Sequence, residues 1–295
     1  MDIRVLRYFL AVAREENISN AAKILHVTQP TLSRQLMDLE SELGVKLLLR
    51  SSGNRSVTLT EEGMLLRKRA EEILDLVEKT ESELVAPGES IHGDIYIGSG
   101  ETHVISLISR VIKDIREEHP DIHFHFFSGN ADNVTERLDN GLIDFGVLTE
   151  PSNISKYDSI SLPETDVWGL LMRKDHPLAG KDYIEAGDLK NIPLISSSQQ
   201  LTNNAFSKWL KDDYEKLNHV ATYTLLYNAS LLVKDNIGCA LGLDKIISTS
   251  KDSGLCFRPL KPRLEARWRI VWKKYQIFSK ASEIFLNKLQ KEFAE

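Results

Sequence analysis

Between Ile18 and Arg34 the chain reads ISNAAKILHVTQPTLSR, and no other stretch limits the possible folds so tightly. Ser19 has the side chain to cap a helix whose inner face carries Ala21, Ala22 and Leu25, residues small enough for a second helix to approach closely. His26 and Val27 are left to make the turn. Thr28 then caps a second helix with Pro30 in its first turn, where a missing amide hydrogen costs nothing; Leu32, Leu36, Leu39 and Leu43 recur at helical spacing behind it. That spacing turns the leucines inward and leaves Gln29, Pro30, Thr31, Ser33 and Arg34 pointing outward. Two short helices joined by a tight turn, the second offering amide, hydroxyl and guanidinium groups near its N-terminus, suit the major groove of DNA. Arg grips guanine O6 and N7 with two hydrogen bonds, and Gln does the same for adenine N6 and N7. An ordinary helical hairpin with a solvated polar face would use the same residues.

The flanking residues favour the groove reader. Ile3, Leu6, Phe9, Leu10 and Ala13 form one apolar stripe, which predicts a first helix packed beneath the other two. After Gly44, the run VKLLLRSSGNRSVTLT has two short apolar segments around Ser, Gly and Asn, a hairpin signal. Arg50, Asn54 and Arg55 fall where such a wing meets the phosphate backbone or minor groove, although a solvated loop remains the plainer alternative, above all for Asn54. Through Thr58 there are eight Lys or Arg against six acids, a surplus of +2; with a total of −6, the remainder carries −8. A mildly basic head on an acidic body fits phosphate contact by the head only.

With FLAVAREENISNAAKILHVTQPTLSRQLMDLESELGVKLLLR around it, the opening stretch resembles the winged helix-turn-helix of LysR-type transcriptional regulators. The likeness continues through LTEEG at 59 to 63 and, more weakly, HPLAGKDYIEAGDLKNIPLIS at 176 to 196, so it spans essentially the whole chain. It implies an α/β fold class with an N-terminal winged helix-turn-helix, a long linker helix and a C-terminal two-lobed effector domain like the periplasmic solute-binding proteins. It likewise implies wing residues on DNA and dimerisation through the linker. The corresponding division is 1–59, 60–88 and 89–295, with one lobe at about 91–162 and 268–295 and the other at about 163–267. The chain would cross between lobes near Leu162 and return near Leu264.

The linker is also visible in the residues. Thr60 followed by Glu61 and Glu62 is a helix start, with acids placed well against the positive end of the dipole. Leu66, Ala70, Ile73, Val77, Thr80 and Leu84 then recur at steps of four and three until Ala86, Pro87 and Gly88. Such a rod, ~37 Å for ~25 residues, is too long for its own small head to cover and should pair with a second copy. A pair would present two heads to an inverted-repeat target. A single helix lying on its own second domain is the alternative.

Beyond Ile91 strands alternate with helices. DIYIG at 94 to 98 and IHFHFF at 122 to 127 read as strands, and a helix over 104 to 118 turns Val104, Leu107, Ile108, Val111, Ile112 and Ile115 inward between them. Further strands are expected at 145–148, 167–172, 192–195, 220–226, 238–241 and 267–273, with helices near 201–213, 228–236 and 279–293. The alternation predicts a doubly wound body with parallel strands. Ligands of such sheets gather beyond the carboxyl ends of the strands. Ser99, Gly100, Glu101 and Thr102 follow the first strand, Ser128, Gly129 and Asn130 the second, and Ser196, Ser197, Ser198 and Gln199 follow IPLI. Their hydroxyls and amides suit a small polar or anionic effector, though the same residue types are the commonest in turns and caps. Glu101 is discordant: its carboxylate would repel an anion, so it favours an amine-bearing or uncharged ligand, or caps a helix.

Other chemistry finds little support. GSGETH at 98 to 103 lacks the third glycine of a phosphate loop, and no GxSxG, HExxH or P-loop run occurs. His123 and His125 alternate with Phe124 and Phe126 as the polar face of a strand, without Cys or carboxylate partners for a metal. Trp168, Trp209, Trp268 and Trp272 read as core or lobe-interface residues, and Cys239 as a small buried apolar one. The two cysteines are too few for a disulfide framework, and no run approaches a signal peptide or membrane span, so a cytoplasmic protein is expected. The expected partners are double-stranded DNA, a small-molecule effector and further copies of the chain, as a dimer through the linker and then a tetramer, with RNA polymerase as an additional candidate. No cofactor, metal or membrane partner is expected. Arg34, Ser33 and Gln29 would read bases, and Thr31, Arg50 and Arg55 would hold phosphates. A solute-binding protein or a cytosolic α/β enzyme carrying a helical head are the other readings.

Overall fold

A computed structural model describes residues 1–50, 57–84, 91–150, 155–198, 206, 209–210 and 216–293. They form two compact units, Met1–Val85 and Ala86–Glu295.

In the first unit, α1 (Ile3–Glu15) starts at Asp2, whose carboxylate accepts the Arg4 amide at 2.7 Å. Its buried face is Val5, Leu6, Phe9 and Val12; Ile3, placed in the stripe by spacing, is 44% exposed because it is the first helical residue and lies beyond the neighbouring helices. The cap of α2 (Ile18–Ile24) is Asn17 rather than Ser19: its side-chain oxygen accepts the amides of Ser19 and Asn20 at 2.9 and 3.0 Å. Ile18 thereby becomes a buried helical residue beside Ala21 and Ala22. Thr28 caps α3 (Gln29–Leu43) as its position predicts, and Gly44, at φ 69°, ends it in the left-handed conformation that glycine adopts without strain. Leu32, Leu36 and Leu39 are buried, while Leu43 in the last turn is exposed.

The wing is a short antiparallel hairpin, β1 (Leu48–Arg50) against β2 (Val57–Leu59). Its tip, with Asn54 and Arg55, lies outside the described residues. Thr60 fixes the start of α4 (Glu61–Leu84): its hydroxyl accepts the Gly63 amide at 2.9 Å and donates to the Lys46 carbonyl at 2.7 Å. Gly63 is required here, since a Cβ would stand 2.2 Å from the Leu47 carbonyl oxygen. Leu66 packs against the head's own core and Ala70 is fully buried, α4 lying against α1, so the start of the expected seam is used locally. Leu84, at the other end, is 78% exposed.

The second unit begins as expected, with α5 (Ile105–Glu118) linking two parallel strands, β3 (Gly93–Ser99) and β4 (Ile122–Ser128), in register from Gly93 with Ile122 to Ser99 with Ser128. Val104, Leu107, Ile108, Val111 and Ile115 are buried and Ile112 partly so. There follow α6 (Ala131–Asp139), β5 (Phe145–Thr149), β6 (Tyr157–Arg173), β7 (Leu194–Ser197), β8 (His219–Tyr223), α7 (Leu226–Lys234), β9 (Cys239–Leu243), β10 (Leu255–Pro259), β11 (Glu265–Lys273) and α8 (Lys280–Phe293). The strand path is β4-β3-β5-β11-β6-β9-β7-β8, with β10 beside β6.

The body is not all parallel. β3, β4 and β5 run parallel, as do β7, β8 and β9, but β6 is antiparallel to β11, β9 and β10, and β11 to β5. The long β6 pairs with β11 from Tyr157 to Val167 and with β9 from Trp168 to Leu171, thus joining two sheets. Its first half escapes the pattern because YDSISLPET mixes polar residues with Pro163, and α6 because only Val134 and Leu138 of its short length are buried. The strand expected at 220–226 stops at Tyr223, where α7 needs its first turn. Most of the helix expected at 201–213, with Gln199 before it, lies outside the described residues. Cys239 is buried as expected, and burial pushes its thiol up to about 12. His123 and His125 are exposed on β4, His125 Nε2 standing 2.7 Å from Asp94 Oδ1, and no metal-holding group of His, Cys and acids occurs among the described residues.

Candidate functional site

At the start of α3, Gln29, Pro30, Thr31 and Arg34 are exposed on the face opposite the buried leucines. The Arg34 side chain is 81% exposed, with the Asp38 carboxylate one turn on at 4.0 Å, which leaves its donors largely open to a ligand. The Thr31 hydroxyl lies 2.8 Å from that of Thr28 and remains at the surface. Ser33 is a correction: it is 9% exposed and cannot present its hydroxyl to a base. At 100° per residue it sits next to Leu32 and Leu36 on the edge of the inward arc, and the packing of α1 and α2 widens that arc to include it.

One residue without a sequence signal holds this face to the wing. Glu40, 6% exposed, accepts the amides of Leu47 at 2.8 Å and Leu48 at 3.1 Å through Oε1, and Lys46 Nζ lies 3.1 Å from Oε2. Burial alone would push the Glu40 carboxyl up; the Leu47 amide, the Lys46 ammonium and the Leu48 amide outweigh it and hold it below its ordinary value. The recognition-type helix and the root of the wing are thus one rigid piece.

The second unit contains a cleft with about 620 Å³ of space, its open mouth included. Gly100, Glu101, Gly129, Asn130 and Ser197 line it, five of the residues expected there. A Cβ on Gly100 would meet the Gly129 carbonyl at 3.6 Å and Trp268 at 3.9 Å, so the two glycines bring backbone to the cleft wall. Asn130 uses its side-chain oxygen to cap α6, accepting the Asn133 amide at 2.9 Å.

The other described residues expected there do not line the cleft. Ser99 Oγ donates to the Gly100 carbonyl, Ser196 is fully buried against His219 Nδ1 at 2.8 Å, and Ser128 is exposed without lining the cleft. The Ser198 amide is held by the Tyr223 carbonyl. Thr102 donates to Asp166 and accepts the amide of Val104, the residue before α5. Ser99 and Thr102 thus bond neighbouring backbone, as short hydroxyl side chains commonly do, while Thr102 and Ser196 also engage the Asp166 and His219 side chains.

What sequence reasoning missed are the walls: Trp168, Tyr223 and Trp268, with Thr149, Thr224 and Leu226 between them. The Trp268 indole N–H donates to Asp166 Oδ2 at 3.0 Å, and the Tyr223 hydroxyl donates to the Leu241 carbonyl at 2.6 Å. The polar tips of Trp268 and Tyr223 are therefore engaged with protein, and the rings of Trp168, Tyr223 and Trp268 form part of the cleft wall. Asp166 is fully buried, and its Oδ1 has no partner among the described residues. Burial pushes its carboxyl above the ordinary range, helped by the like charge of Asp244, against the Thr102 and Trp268 hydrogen bonds and Lys245. Glu101 accepts the Leu226 amide at the N-terminus of α7, a helix without a side-chain cap of its own from Leu225.

A capped helix-turn-helix with a wing, followed by a mixed α/β unit that holds a cleft, defines a two-part regulator-type architecture. The model for the bacterial regulatory helix-turn-helix protein, lysR family, matches residues 3–64, and that for the LysR substrate binding domain matches 88–294. The HTH-type transcriptional regulator BsdA of Bacillus subtilis (strain 168) is 36% identical over 199 residues, 66% of this chain and 66% of BsdA, so the match spans just under two thirds of that relative. The HTH-type transcriptional regulator IlvY of Escherichia coli (strain K12) is 26% identical over 82% of this chain and 81% of its own. Among solved structures, full-length CbnR complexed with its target DNA superimposes with a TM-score of 0.76 over 99% of both chains; at 19% identity this shows the shared fold. The chain belongs to the LysR family of transcriptional regulators.

Proposed function

We propose that this protein regulates transcription by binding a specific promoter sequence through α3 and the wing, under the control of a small molecule held in the cleft. Arg34 and Gln29 read base edges, Pro30 and Thr31 border the contact, and Arg50, Asn54 and Arg55 of the wing hold phosphates. One observation carries this reading: four groove-compatible side chains are exposed along the first turns of a helix whose opposite face is locked into the head by Leu32, Leu36 and Leu39. Functionally we divide the chain into 1–59, 60–88 and 89–295, with lobes of about 91–162 plus 268–295 and 163–267. The switch from β11 to β9 pairing along β6 supports a boundary there, near Val167.

In this reading α4 carries the contact between two copies, giving a dimer that recognises an inverted repeat, and two dimers associate on longer sites. The protein works in the cytoplasm with RNA polymerase as its eventual partner; no helix among the described residues is long and apolar enough to cross a membrane. Effector binding is coupled to DNA binding as a free energy shared between two sites, so DNA must alter effector affinity reciprocally. An electrophoretic shift with the chain's own upstream DNA tests the reading. Saturable retardation of that duplex, resisting excess unrelated duplex, is expected; equal retardation of all duplexes would refute it.

A further inference from the structure

We propose that the cleft takes a small organic cation, an amine or quaternary ammonium, seated on the rings of Trp168, Tyr223 and Trp268 with Glu101 as its counter-charge. The inference rests on the cleft being the effector site and specifies the class of molecule that fills it. Three observations point the same way.

First, three aromatic rings line the cleft, and two of them have their polar tips turned to protein. The indole N–H of Trp268 and the hydroxyl of Tyr223 are both committed to protein acceptors, so neither is available to an anion. An indole donating to a carboxylate gains electron density, which strengthens the attraction of its face for a cation. Second, Glu101 is the sole charged residue among the described lining, and that lining has no Lys or Arg. One oxygen of Glu101 caps α7, while Oε1 takes no described hydrogen bond and can accept from an ammonium. The same contact covers the α7 N-terminus, one place where an anionic ligand would otherwise find amide donors. Third, Asp166 lies fully buried behind Trp268 with Oδ1 unpartnered among the described residues, and Asp244 adds like charge; Lys245, 4.0 Å from Asp244, offsets only part of it. A cation over the rings relieves this excess of negative potential, whereas an anion compounds it.

The test uses the full chain, thermal shift and calorimetric titration, with benzylammonium, benzyl alcohol and benzoate as probes of one shape and three charges. Benzylammonium is expected to raise the melting temperature and to bind about tenfold or more tightly than benzyl alcohol, with benzoate weakest. In Glu101→Gln the amide oxygen still accepts from Leu226, so the fold is retained while affinity for benzylammonium falls about tenfold and the gap to benzyl alcohol closes. Trp168→Leu should weaken the cation, and Trp168→Phe should largely restore it. If benzoate binds best and loses affinity in Trp168→Leu, the cleft is a ligand site but the charge class is wrong. If no probe shows binding that depends on Trp168 or Glu101, the class and the effector reading of this cleft both fail.

Discussion

Replacing Glu40 isolates what ties the DNA-facing helix to the wing. In Glu40→Ala the amides of Leu47 and Leu48, both residues buried, lose their acceptor together. A buried donor left unmade costs ~1–3 kcal/mol, and entry of water recovers part of the second, so the local loss is about 2 to 4 kcal/mol. Lys46 adds little to this, its side chain being 75% exposed and screened. At ~1.36 kcal/mol per tenfold, amide exchange across 45–50 should accelerate roughly 30-fold to several hundred-fold. Hydrogen exchange read by mass spectrometry on the full chain measures this directly. Lys46→Ala should change the same rates about fivefold at most, and Glu40→Gln, which keeps one acceptor oxygen, should fall between. The sign with pH is fixed: a carboxyl held below its ordinary value of 4.5 contributes stability above that value and loses it as pH falls through the lower, folded one. The difference between wild type and Glu40→Ala should therefore shrink in acid. Unchanged exchange at Leu47 and Leu48 in Glu40→Ala near neutral pH would refute this anchoring role.

Three further expectations are independent of that one. Arg34→Ala should weaken the preferred operator by about 1–3 kcal/mol and blur base preference, whereas Arg55→Ala should weaken all duplexes alike and lower the salt slope by about one; uniform loss in both would remove Arg34 from base reading. Gly63→Ala forces a methyl group against the Leu47 carbonyl, and the head should lose about 1–3 kcal/mol in denaturant titration; a neutral result would mean that α4 shifts freely. Asp166 has a folded pKa raised above its ordinary 3.8, so the folded state binds its proton more tightly, and stability falls as pH rises from that value through the folded one. Asp166→Asn should remove that decline from the stability curve, and a curve with the same slope would place the titration elsewhere.

The periodic spacing of Leu32, Leu36 and Leu39, the caps at Thr28 and Thr60, the βαβ opening of the second unit and the glycine backbone at 100 and 129 were legible in the amino-acid order, because each leaves a mark in the residue pattern of its own helix, strand or turn. Local order also misled where neighbouring residues could serve the same purpose: Asn17 reaches the first amides of α2 in place of Ser19, and Ser33 is drawn into the inward arc by helices that meet it from elsewhere in the head. The antiparallel β6 and β11, the anchoring of Leu47 and Leu48 by Glu40, the burial of Asp166 between Thr102 and Trp268, and the reach of Glu101 to Leu226, 125 residues away, were decided by tertiary structure alone. The physical reason is that a carboxylate's environment and a strand's partner depend on what the rest of the chain brings alongside, and residue spacing records only what the chain does to itself nearby.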